Sequence, residues 1–162
     1  INFNQKFDLI TLWNALEHEF QSRDLILLFN RITNDNATLI VEVPNYHSFT
    51  RWFQKKYWGG FHTPRHSIIY TEQTLKRMLE SLGWKLEKIY PYGTMDSFTL
   101  WWLGYFEKIR IKNSANEMQL EKYFWHYLFL KILSFPFFMF EKFFSFGIML
   151  AIFKKDNEFM LK

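Results

Sequence analysis

The sequence predicts an α/β fold built on a partial, largely parallel sheet, and three observations carry that expectation. The run FDLITLW at 7–13 is apolar without period-two alternation, as in a strand covered on both faces. A helical stripe follows, and then a second apolar run, TLIVEV at 38–43, closes at Pro44. Strand, helix and strand at this spacing form a βαβ unit, whose two strands run the same way.

Each element has its own signal. Ser22 is placed to cap a helix in which Leu25, Leu28, Phe29 and Ile32 recur at helical spacing, and Asn34, Asp35 and Asn36 end it. Residues 48–70, rich in Trp, Gly and Pro, read as a long loop of the active-site kind with one helical turn at 49–56. Thr71 caps a third element, in which Leu75, Met78, Leu79 and Leu82 make the stripe and Gly83 makes the stop. WKLEKIY at 84–90 alternates in part, which suits a strand nearer a sheet edge. FGIMLAIF at 146–153 reads as a last buried strand, ended by Lys154 and Lys155. The aromatic stretch at 97–145, broken by a polar patch, reads as a helical insert between the last two strands of a single domain spanning 1–162.

Composition narrows the function. At 162 residues, 49% hydrophobic and 22% charged, the chain is globular in balance. With no Cys it has no disulfide, thiolate nucleophile or cysteine metal site, which fits a reducing, cytoplasmic setting. Basic clusters at Arg51, Lys55 and Lys56 and at Lys108, Arg110 and Lys112 come without an aromatic RNA-binding signature or zinc spacing, so no nucleic-acid partner is expected. Within 123–153 the apolar residues are divided by His126, Lys131, Pro136, Glu141 and Lys142. A Lys at mid-bilayer costs roughly 2.5–3.5 kcal/mol on insertion scales, so two short amphipathic helices, packed on the sheet or lying on a membrane surface, are expected instead of a span.

The βαβ unit also locates a site. Carboxyl ends of parallel strands lie side by side, and ligands of open α/β sheets bind outside those ends. Trp13, Asn14, Glu17 and His18 therefore share a rim with Asn45, Tyr46 and His47, whereas the opposite strand ends carry Phe7, Asp8 and Thr38.

The order of FDLITLWNALEH, a helix, ATLIVEVPNYHS, WGGFHTPRHSIIYT and a helix ending in SLGW resembles the carboxyl-terminal half of class I S-adenosylmethionine-dependent methyltransferases. More narrowly, Leu16-Glu17-His18, Pro44-Asn45 and Pro64-Arg65-His66 are similar to motifs of one branch of that family. The likeness is good over 7–92, weak over 97–145, and returns at Gly147 to Lys155. It implies a partial Rossmann-like sheet in the order fourth, fifth, seventh, sixth strand, the seventh antiparallel. The family's glycine-rich first loop and the acidic end of its second strand have no counterpart here. The expectation is therefore a fragment beginning at Ile1, inactive alone, that supplies the acceptor side of a methyltransferase using S-adenosylmethionine. Its first strand would be open along 8–13, an edge through which a homodimer can form.

Methyl transfer from a sulfonium requires an aligned nucleophile and, for a hydroxyl acceptor, removal of its proton, a task suited to histidine. The resemblance puts His18 near the methionine end of the cofactor as the catalytic base, with Glu17 orienting it or capping the next helix. Trp13 and Asn14 would touch the cofactor. Asn45, His47, Trp58, His62, Arg65 and His66 are the substrate-binding candidates, with Trp52, Tyr57, Trp58 and Phe61 as an aromatic wall and Arg65 as an anion or carbonyl partner. His62 and His66 have helical ligand spacing, but Pro64 breaks a helix and no third ligand is evident, so no metal is expected. The expected acceptor is a small molecule, a glycan or a lipid-linked compound, methylated on oxygen. The alternative is a non-catalytic module that binds a partner or a membrane surface.

Overall fold

The computed structural model describes residues 5–62, 64–112, 123–157 and 159. Its four strands are β1 (Phe7–Trp13), β2 (Thr33–Pro44), β3 (Trp84–Tyr90) and β4 (Ile148–Lys155). They form one sheet in the order β1-β2-β4-β3. β1 pairs parallel with β2, whereas β4 lies antiparallel between β2 and β3. This mixed α/β sheet, with its last strand reversed and inserted, is the expected arrangement.

β2 is the central strand because its sequence suits burial on both faces: Leu39, Val41 and Val43 are fully buried, and so is Glu42. Around it gather Ala151 and Phe153 of β4, Trp84 of β3, and the helices α1 (Ser22–Ile32) and α3 (Glu72–Glu80). β1 is the edge strand that the resemblance implies, but it is not covered on both faces as its apolar run indicates, since Phe7, Leu9 and Trp13 are exposed.

α1 keeps most of its expected stripe inward, with Phe29 buried and Leu25 and Ile32 packed on the core, but Leu28 is exposed while Ser22, Ile26 and Asn30 join the buried face. Asn30 can occupy the core face because its amide donates to the Leu82 carbonyl at 2.6 Å. Ser22 is not the cap either, since its hydroxyl donates to the Glu19 carbonyl and Gln21 holds the cap position. β2 starts five residues before the expected Thr38. Asn34–Asn36 form its bulged entry, with Asn36 at φ 62° and Asn34 donating to Asp8 at 2.7 Å. At the same end β4 runs on through Lys154 and Lys155. Lys155 is buried, and its Nζ donates to the carbonyls of Asn30 (2.9 Å) and Thr33 (3.0 Å), a cation at the end of α1.

α3 follows its signals closely: Thr71 and Thr74 exchange side-chain and backbone hydrogen bonds in a capping box, and Gly83 takes φ 87° after the helix. The 48–70 segment contains α2 (Phe49–Gln54) and a short turn at Lys55–Tyr57.

Between β3 and β4 in the chain lie α4 (Ser97–Lys112) and α5 (Phe124–Phe138). α4 buries Phe98, Trp102 and Phe106 against Tyr123, Tyr127, Leu130 and Phe138. α5 contradicts the amphipathic expectation. It is apolar all round, buries no residue fully, and exposes Trp125, Phe129, Ile132, Leu133 and Phe135. Among the described residues no helix is long and apolar enough to cross a membrane. The polar patch at 112–122 lies outside the described residues apart from Lys112.

Candidate functional site

The parallel pairing of β1 with β2 brings their carboxyl ends together, with Trp13 opposite Glu42. Just past β1, Asn14 takes φ 45°, a left-handed turn that asparagine tolerates, and its backbone N–H still donates to the Glu42 carbonyl at 2.9 Å. Its side-chain amide donates to Glu42 Oε1 at 2.7 Å, leaving Asn14 Oδ1 buried without a partner. Trp13 keeps 45% of its surface exposed beside it.

Glu42 is the residue that sequence reasoning missed. Fully buried, its carboxylate accepts hydrogen bonds from Asn14, from Thr94 N (2.5 Å), from the Thr94 hydroxyl (2.9 Å) and from Met95 N (3.3 Å). It fastens the turn after β3 to the tips of β1 and β2, and it needs Gly93, where a Cβ would lie 2.6 Å from Glu42 Oε2. The one available signal was a carboxylate inside the apolar run TLIVEV.

A short turn at Leu16–His18 follows Asn14. The backbone carbonyl of Glu17 accepts from Ser67 N (2.8 Å), Ile68 N (3.2 Å) and the Ser67 hydroxyl (3.0 Å), which draws the 62–66 loop over the turn. The result is an imidazole cluster: ring centroids lie 4.6 Å apart for His18 and His66 and 5.2 Å apart for His62 and His66. His18 Nδ1 pairs with the Arg65 carbonyl at 3.0 Å and His66 Nδ1 with the Gly60 carbonyl at 2.7 Å. A carbonyl only accepts, so each Nδ1 carries a proton and donates it there. Burial holds the His66 pKa below its ordinary value, aided by the neighbouring imidazoles and opposed by the hydrogen bond to the Gly60 carbonyl.

Glu17 neither orients His18 nor caps a helix through its side chain. Both of its carboxylate oxygens are buried without a hydrogen-bond partner, and burial pushes its pKa above the usual carboxylate range. The ring of His18 is held by the Arg65 carbonyl instead, whereas the Arg65 side chain is exposed.

The other candidates lie elsewhere. Asn45 is buried and binds Ser145 Oγ at 3.0 Å and Glu72 at 3.4 Å. Trp58, at 1% exposure, fills core against Leu100 and Ile148 and donates to Thr50 Oγ1, so it backs the aromatic wall and does not form its surface. His47 lines a separate cleft of about 590 Å³ with Phe49, Trp52, Phe137, Phe140 and Phe144. Aromatic residues of the insert thus line this cleft, and nothing in their spacing announced it.

Among solved structures, a methyltransferase of Haloferax volcanii in complex with the Trm112 methyltransferase activator is similar over 96% of this chain and 58% of its own, at 11% identity and a TM-score of 0.54. One from Bacillus halodurans is similar over 94% and 66%, at 14% identity and a TM-score of 0.55. The mycolic acid cyclopropane synthase CmaA1, solved with SAH and CTAB, is similar over 94% and 57%, at 14% identity and a TM-score of 0.51. The chain therefore spans about three fifths of the length of these proteins, and at such identities the likeness is one of fold. No curated protein matches the sequence. A family model described as a methyltransferase domain matches residues 2–89, the span that holds β1, β2, β3 and the imidazole cluster, and the chain belongs to that methyltransferase-domain family.

Proposed function

We propose that the whole protein transfers a methyl group from S-adenosylmethionine to an oxygen of an acceptor with an apolar portion, and that this chain supplies the acceptor side of the site. The observation that carries the reading is the cluster that follows the tip of β1, where two imidazoles and a buried carboxylate each bring one ligand atom within 4.8 Å of the others, a few residues past Trp13 and Asn14. An unpartnered buried oxygen on Asn14 and an exposed indole fit one wall of a cofactor site. Trp13 and Asn14 would hold the cofactor there, and bound S-adenosylmethionine supplies an electrophilic methyl carbon on a good leaving group.

The chain's own residues then have two tasks. One is to receive the acceptor hydroxyl and lower the cost of losing its proton: its oxygen forms the new bond to carbon, the carbon–sulfur pair stays on sulfur, and the proton leaves. The imidazoles of His18 and His66, anchored through Nδ1 on backbone carbonyls, are the groups that would take that proton. The other is to bind the rest of the acceptor, for which the aromatic cleft along α2 and the end of α5 is suited. The exposed aromatic surface of α5 supports peripheral contact with a membrane in which a lipid-linked acceptor sits.

The test is incubation of the full-length protein with tritiated methyl donor and hydroxylated acceptors that differ only in apolar chain length. Label in an alkali-stable ether of the longer acceptors supports the reading, and label in none of them removes it.

A further inference from the structure

Glu17 is 2% exposed, yet neither of its carboxylate oxygens has a hydrogen-bond partner, which is a costly state for a buried acid. The groups around it are not random neighbours. One ligand atom from each of Glu17, His18 and His66 lies within 4.8 Å of the other two. Both imidazoles donate Nδ1–H to a backbone carbonyl, Arg65 for His18 and Gly60 for His66, which leaves Nε2 as the nitrogen of each ring available to a ligand. A ring whose far nitrogen is anchored in this way has its tautomer fixed and its other nitrogen made a better donor, the outer-shell arrangement of metal-binding histidines. The backbone is equally fixed, because the Glu17 carbonyl is tied to Ser67 and Ile68, next to His66.

We infer that Glu17, His18 and His66 bind a divalent first-row transition cation. Two imidazole nitrogens and one carboxylate suit Mn²⁺, Fe²⁺, Co²⁺ or Zn²⁺ better than Ca²⁺, which takes oxygen ligands, and three protein ligands leave positions open. The expectation of no metal rested on His62 and His66 as neighbours in a broken helix. The structure instead joins His66 to the Glu17-His18 pair.

The consequence for chemistry rests on the methyltransfer reading. An acceptor hydroxyl on an open position of the cation loses its proton to solvent more easily, and the resulting oxygen attacks the methyl carbon while sulfur retains the carbon–sulfur pair. The reaction is redox-neutral and needs no further reagent. His18 then acts as a ligand that positions the cation, and not as the base.

The test uses the full-length protein stripped with chelator and titrated with Mn²⁺, followed by the loss of the free-ion paramagnetic resonance signal, with S-adenosylmethionine binding measured by calorimetry on the same samples. Saturable uptake of one equivalent, weakened at least ~10-fold in both Glu17→Gln and His66→Gln with circular dichroism unchanged, is the expected result. No uptake of Mn²⁺ or Zn²⁺ by the wild-type protein, or uptake that both variants retain, overturns the inference. Should either variant unfold, His18→Gln replaces it under the same criteria. Cofactor binding without metal binding overturns the site but leaves the methyltransferase reading intact; metal binding without cofactor binding upholds the site and removes that reading.

Discussion

Replacing Glu42 with glutamine exchanges one carboxylate oxygen for an NH₂ group and tests how the strand tips are held together. The carboxylate accepts from Asn14 Nδ2 and Met95 N at Oε1, and from Thr94 N at Oε2, with the Thr94 hydroxyl reaching both oxygens. In glutamine one oxygen becomes an NH₂ group. If it faces Thr94, the hydroxyl can rotate to accept, but the backbone N–H at 2.5 Å meets another donor. If it faces Asn14, the amide of Asn14 can turn to present oxygen, but Met95 N loses its acceptor. Either way one buried donor is orphaned at about 1–3 kcal/mol, and the remaining bonds lose charge assistance, so the total is roughly 2–4 kcal/mol. Urea unfolding of wild-type and variant protein at neutral pH measures this directly. A loss under about 0.5 kcal/mol, the range of a neutral surface change, refutes the argument that Glu42 fastens the 93–95 turn to β1 and β2.

Three further outcomes follow from the same structure. Gly104→Ala puts a Cβ 2.4 Å from the Tyr57 carbonyl oxygen, so α4 must move off the 55–60 segment; thermal unfolding should show a loss of about 1–3 kcal/mol, and an unchanged midpoint would contradict that packing. Glu141 is held above the ordinary carboxylate pKa, chiefly by burial, so the folded state binds more protons than the unfolded one from the ordinary carboxylate value up to its raised pKa. Stability therefore falls as pH rises through that window. Glu141→Gln should raise the melting temperature at pH 7, and the gain should fade as pH approaches the unfolded value; a gain independent of pH would contradict the cause. His18→Ala should lower turnover of the full-length enzyme by about 100-fold or more with cofactor affinity unchanged, and normal turnover would remove His18 from the site.

The parts of the fold legible in the sequence were those where local signals and tertiary packing agree. β1 and β3 end where their apolar runs end, and α3 carries a capping box at one end and Gly83 at the other, so nothing remote competes with the local code. Legibility failed where a partner far along the chain decides. Asn34–Asn36 look like a turn but enter β2 because Asp8 and Asn157 supply hydrogen-bond partners. Leu28 fits the apolar stripe of α1, yet Asn30 takes the inner face because the Leu82 carbonyl waits there.

The candidate site divides in the same way. Parallel strands predicted that Trp13, Asn14, Glu17 and His18 would gather at one rim, and β1 and β2 do run parallel with Asn14 bonded to Glu42 across their tips. His66 joins them through the bonds from Ser67 and Ile68 to the Glu17 carbonyl and from His18 to the Arg65 carbonyl, which no spacing rule encodes. Asn45 and His47 leave the group because the chain after Pro44 turns toward Ser145 and the aromatic insert.

The central claim is that the strand tips carrying Trp13, Asn14 and the imidazole cluster form one wall of a site for S-adenosylmethionine. Isothermal calorimetry of the full-length protein with S-adenosylmethionine, beside Asn14→Leu, tests it most directly. Saturable heat in the wild type that weakens by about ten-fold in the variant is the predicted result, the worth of one hydrogen-bonding group in a buried site. Absence of binding heat in the folded wild-type protein, or equal affinity in the variant, would contradict it.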